Sequence, residues 1–131
     1  MNATVLVDTD ILIDVARGNE TAIRFLEQAE LQASLAVSVI TEMELIIGCR
    51  NKRELRGMDT FLKRFIVAPL APEISAMGSS LLRKYRLSHG LLIADALIAA
   101  TASILSIPFA TKNVRDFGFI DGLLLSPYPS R

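Results

Sequence analysis

Cysteine is almost missing from this chain. Cys49 stands alone, so no intramolecular disulfide can form, and a reducing compartment is expected. It also lacks the His and Cys neighbours that a zinc site needs. Histidine is equally scarce: the one residue, His89, precedes Gly90 in a stretch that reads as a loop, and it is expected at the surface rather than as a general base. Net charge is absent too. Fourteen Lys+Arg balance fourteen Asp+Glu, which argues neither for nor against a polyanionic partner, because local distribution outweighs the sum. No basic segment precedes the first apolar run, so a signal peptide is not expected. Charge or Pro breaks every apolar stretch well before the ~20 residues of a membrane span. The expected location is therefore the cytoplasm. Phosphate-loop (GxxxxGK[ST]), GxGxxG and GxSxG motifs are all lacking, which disfavours P-loop nucleotide hydrolysis and α/β-hydrolase chemistry.

What is present is apolar. The 131 residues fit one domain, 1–131, and 51% of them are hydrophobic. The mean hydropathy of +0.41 is high for a soluble monomer, so the apolar surface is either internal or covered by a partner. Ala3 to Val7 (ATVLV) and Leu35 to Ile40 (LAVSVI) are β-branched apolar runs that suit strands buried on both faces. Short strands are also expected at Phe65–Val67, Pro108–Thr111 and Leu123–Leu125. Between them, helices are expected from Ile11 to Ala16, after an Asn19 cap, from Glu42 to Gly48 after a Thr41 cap, and from Lys52 to Phe65. Two more follow, one opened by Pro72 at its first position and one from Leu91 to Ser106. Alternating apolar strands and helices predict an α/β fold, a parallel sheet of four to five strands with helices on both faces.

In such a sheet ligands meet the loops at the carboxyl ends of the strands. The acids there are Asp8 after the first strand, Glu42 and Glu44 after the second, Asp95 near the head of LLIADALIAATA, and Asp116 in TKNVRDF. Each has a structural alternative. Asp8 or Asp10 suits a helix cap, Thr41-x-x-Glu44 fits a capping box, and Asp116 suits a turn. Asp14, one turn beyond Asp10, reads as a solvent-facing helix residue. Asp95 is harder to explain structurally, because its neighbours are all apolar and a buried lone carboxylate is costly without a partner or a cation. Converging carboxylates repel, and a hard divalent cation such as Mg²⁺ or Mn²⁺ relieves that repulsion through oxygen ligands.

VDTDILID, SVITEMELIIG, LLIADALIAATA and FATKNVRDFGFIDGLLL, in this order from Val5 to Leu125, resemble the PIN-domain ribonucleases, and toxins of the VapBC toxin–antitoxin type in particular. The resemblance implies a single-domain PIN-like fold and a Mg²⁺- or Mn²⁺-dependent endoribonuclease. It implies catalytic acids at Asp8, Glu44, Asp95 and Asp116, with Asp8, Asp95 and Asp116 on the metal. Thr9, Asp10, Thr111 and Asn113 would support them. Asp10 stands where the family usually has Asn, and Asn113 brings an amide to the fourth block. Arg17, Arg50, Lys52, Arg53, Lys112 and Arg115 flank the acidic blocks and are candidate RNA contacts, ordinary solvated charge being the alternative for each. A cognate VapB-type antitoxin and a homodimer are the partners implied. Ile46, Ile47, Phe61, Leu62 and Phe65 could serve such a partner or the core. Two other functions stand beside this one: a non-catalytic PIN-like module binding RNA or protein, and a nuclease acting on DNA.

Overall fold

The computed structural model describes residues 3–129. The chain starts in β1 (Ala3–Val7), α1 (Thr9–Ala16), α2 (Glu20–Gln32), β2 (Ala33–Ser38), α3 (Val39–Ile47) and α4 (Lys52–Leu62). It continues through β3 (Ile66–Ala68), α5 (Pro72–His89), α6 (Ile93–Leu105), β4 (Phe109–Ala110), α7 (Val114–Phe117) and β5 (Leu125–Ser126). The five strands form one sheet in the order β3-β2-β1-β4-β5, and every pairing is parallel. The chain therefore winds outward from β1 in one direction and later returns to wind in the other. The point where this order reverses lies between β1 and β4.

Side chains alternate across the sheet, and both faces are covered. Leu6, Ala36 and Phe109 point into a core shared with α5, α6 and α7. Val7, Leu35, Val37 and Ala110 point into a second core with α1, α2 and α4. Leu6 and Val7 are both 0% exposed, which explains why the strand ends in an unbroken apolar run, Val5 to Val7, instead of an alternating one. Helix α3 stands at the carboxyl end of the sheet and touches α1, α4 and α6. Of the apolar residues with two possible roles, Leu62 and Phe65 are core, whereas Ile46 and Ile47 are exposed. Phe61 packs at the edge of the second core.

Several sequence expectations shift here. Thr41 is not a helix cap. Ser38, at the end of β2, caps α3 by accepting a hydrogen bond from the Ile40 N–H at 3.0 Å. Helix α3 thus begins at Val39, and β2 begins earlier, at Ala33. Val39 and Ile40 favour strand by their branching, but packing of Ile40 against the α5–α6 core prevails. The capping box that read Thr41 with Glu44 is therefore absent, which frees both side chains for other contacts. Helix α4 stops at Leu62 rather than Phe65, because the Arg64 and Phe65 N–H groups bond three residues back and turn the chain into β3. His89 is exposed, but it ends α5 instead of lying in a loop, and its ring stacks on Phe119 with centroids 4.1 Å apart. The Asn19 cap and the Pro72 first position stand as expected.

Helices α5 and α6 cross closely at Gly78. A Cβ placed there would lie 2.7 Å from Leu97 Cδ2, the movable tip of a flexible side chain. Gly78→Ala is expected to be nearly neutral in chemical denaturation, because Leu97 can rotate and alanine favours the helix by ~0.5–1 kcal/mol. Gly78→Ile is expected to cost about 1–3 kcal/mol, because a branched side chain cannot be absorbed the same way.

Candidate active site

The site is built outward from the end of β1. Asp8 is the first residue beyond the strand and caps α1, its Oδ1 accepting the Thr9 N–H at 2.8 Å. Its Oδ2 accepts the Thr111 hydroxyl at 2.7 Å, from just beyond β4 across the reversal point. The Thr111 oxygen in turn accepts the Asn113 N–H at 3.0 Å, which leaves the hydroxyl proton directed at Asp8. Asp8 is only 4% exposed. Burial pushes its pKa up to about 6 against the pull of the Thr111 and Thr9 bonds, and the Asp10 and Asp95 charges raise it further.

A second chain of contacts reaches α3. Thr9 Oγ1 lies 2.7 Å from Glu44 Oε1 and 2.8 Å from Thr41 Oγ1. A carboxylate only accepts, so the single Thr9 proton goes to Glu44 and the Thr41 hydroxyl donates to Thr9. Glu44 is an exposed residue anchored at one oxygen. Thr41, read from sequence as a cap, is fully buried and belongs to this relay. Its place one turn before Glu44 was the signal that could have shown it.

Asp95 occupies the first turn of α6, partly buried rather than fully covered. Its pKa is also raised to about 6, first by burial and then by the charges of Asp116, Glu44 and Asp10. Asp95 is thus within electrostatic reach of Asp8, Asp10, Glu44 and Asp116 at one end of the sheet, whereas Glu42 acts on neither Asp8 nor Asp95. Asp116 lies exposed in the one-turn helix α7. Asp10 receives a hydrogen bond from the Asn113 side-chain amide. Asp14 is not solvent-facing: its side chain is 19% exposed and holds Lys112 Nζ at 2.6 Å.

The basic candidates divide. Arg50 is engaged by Glu54 on its own surface, and Lys112 is taken by Asp14. Arg17, Lys52, Arg53 and Arg115 are exposed. The donors gathered here are all oxygens, which suits a hard divalent cation and not a soft one. Among the described residues, no three His, Cys, Asp or Glu side chains close into a metal cage.

A parallel sheet whose order reverses beside a buried, threonine-held aspartate defines an α/β protein with acids gathered at the carboxyl end of its sheet. The chain belongs to the PIN domain family, whose model matches residues 5–121. It is 38% identical over 120 residues to "Ribonuclease VapC10" of Mycobacterium tuberculosis, covering 91% of this chain and 90% of that protein. A solved toxin–antitoxin complex from Klebsiella pneumoniae contains a chain 30% identical, with a TM-score of 0.77 over 92% of this chain and 95% of that one. VapBC2 from Rickettsia felis, bound to a DNA fragment from its promoter, shares the fold at a TM-score of 0.79 and 24% identity, covering 94% of this chain and 97% of that one.

The raised carboxylate pKa values make stability pH-dependent. Folded Asp95 keeps its proton to about pH 6, whereas the ordinary value is 3.8. Between these limits the native state binds more protons, so stability is greatest below them and falls as pH rises through 6. In chelator, Asp95→Asn is expected to be more stable than the parent, with the gap widening by about 1–2 kcal/mol from pH 4.5 to 7.5 in urea melts. A gap that stays constant would show that Asp95 carries no raised pKa.

Proposed function

We propose that this protein is a divalent-metal-dependent endoribonuclease, the toxin of a toxin–antitoxin pair. The observation that carries the reading is Asp8, buried at the reversal point, held by Thr9 and Thr111 and facing the charge of Asp95. Similarity to proteins named ribonuclease, over nearly the whole chain, supports RNA as the substrate.

Asp8, Asp95 and Asp116 are the residues that would hold Mg²⁺ or Mn²⁺. Oxygen ligands of this kind suit Mg²⁺, which also keeps several of its waters. When bound, such an ion lowers the pKa of water and stabilises charge on a phosphate. The chain's own groups do the rest. Thr111 and the Thr9 N–H keep Asp8 oriented and favour its charged form. Thr9, backed by Thr41, fixes one oxygen of Glu44 and leaves the other to take a proton from an attacking water. Arg17 and Arg115 offer exposed positive charge against an RNA backbone.

An antitoxin and a second copy are the partners this reading assigns, by similarity to solved toxin–antitoxin complexes. Met43, Ile46 and Ile47 on α3, and Leu92 and Ile93 at the head of α6, are exposed apolar side chains that such partners would cover. No helix among the described residues is long and apolar enough to cross a membrane. The cytoplasm, where RNA is met, is the location that fits.

Incubation of a structured RNA with the protein in Mg²⁺ or Mn²⁺, against chelator and against DNA of the same sequence, tests the reading. Internal RNA cleavage is expected only with metal, and Asp8→Asn or Asp95→Asn is expected to reduce it about 100-fold or more. RNA binding without cleavage would favour the binding module instead, and full activity in the variants would overturn the site. Thr111→Val removes a donor that stabilises the Asp8 carboxylate. The acid limb of its pH–rate profile is therefore expected to move to higher pH.

A further inference from the structure

Three consecutive residues leaving β4 each engage a different aspartate of the β1–α1 segment. Thr111 donates to Asp8, Asn113 donates to Asp10, and Lys112 reaches past both to Asp14 at 2.6 Å. Asp10 and Asp14 are four residues apart on α1 and so share a helical face. The shorter amide meets the nearer acid, and the longer lysine stem meets the acid one turn on. Asp14 and Lys112 are 98 residues apart in sequence, so their pairing joins two distant segments rather than stiffening one helix.

The loop they join has a difficulty of its own. It leads into α7, a helix of four residues that is too short to hold itself, and α7 carries Asp116 toward the charge of Asp95. Repulsion among these acids pushes the loop away. Phe117, buried against Phe109, anchors the far end of α7 in the first core, and Lys112 supplies the one opposite charge that ties the near end of the loop to α1 among the described contacts. With side chains 38% and 19% exposed, the pair contributes little to global stability, so its value lies in where it acts.

We propose that the Lys112–Asp14 ion pair clamps the β4–α7 loop onto α1, making both residues positioning residues that hold Asn113 at Asp10 and Asp116 near Asp95. This rests on the ribonuclease reading for its catalytic consequence, and it withdraws Lys112 from the RNA-contacting set.

The test compares Lys112→Met, Asp14→Asn, Lys112→Arg and the charge exchange Asp14→Lys with Lys112→Asp. Two quantities are read: kcat and KM on one oligoribonucleotide in Mn²⁺, and amide hydrogen exchange over residues 111–117 in metal-free protein. Either neutral variant is expected to lower kcat about 10–100-fold, the scale of a small misplacement of reacting groups, and to speed exchange in the loop. KM and the salt dependence of binding should stay near the parent values. Lys112→Arg should keep most of kcat, and the charge exchange should recover a substantial part of what either neutral variant loses. A raised KM and a flatter salt dependence in Lys112→Met, with loop exchange unchanged, would overturn the clamp and make Lys112 a phosphate contact. Parent-like behaviour of Asp14→Asn in both readouts would overturn it too. If the parent protein cleaves no RNA, the ribonuclease reading fails, and loop exchange alone decides for or against the clamp.

Discussion

Asp8 is a carboxylate with almost no solvent around it, and burial on that scale is costly unless its oxygens are bonded. One oxygen takes the first N–H of α1 and the other takes a hydroxyl from beyond β4. Those two bonds require β1 and β4 to be neighbours and α1 to begin where β1 ends. The parallel sheet and its double apolar cover bring both donors to this one group.

Around it the molecule concentrates like charge. Asp10, Glu44, Asp95 and Asp116 each raise the pKa of Asp8 or Asp95, and burial has already raised both to about 6. A fold optimised for stability alone would not place them so. The two cores, with Leu6, Val7, Ile11, Leu12, Ala99 and Phe109 wholly buried, offset the cost. The arrangement is strained electrostatically where chemistry is expected and conventional elsewhere, as active sites commonly are.

Local signals were legible in the sequence, and long-range ones were not. β1 and the Asn19 and Pro72 helix starts could be read from apolar runs and cap chemistry, because those depend on adjacent residues. Asp8 at a strand end and Asp95 at a helix head lie where the sequence blocks implied, whereas Glu44 falls in the second turn of α3, because that helix starts at Val39. Thr41 was misread because a buried hydroxyl relay to Thr9 looks, in sequence, like a helix cap. Asp14 looked like a bystander because its partner, Lys112, lies on another strand's exit. Val39 and Ile40 looked like strand because branching favours it, and only the packing of α3 against α6 decides otherwise. The Thr41 and Asp14 contacts join segments far apart in sequence, which a local pattern does not encode.

The central claim is that Asp8 and Asp95 hold protons that a divalent cation displaces. Calorimetric titration of the metal-free protein with Mn²⁺, in two buffers of different ionisation enthalpy, measures this directly. With both carboxyls half-protonated near pH 6, about one proton should leave per ion bound at that pH, falling toward zero by pH 8. Binding with no proton release at pH 6, or no binding at either pH, would contradict it.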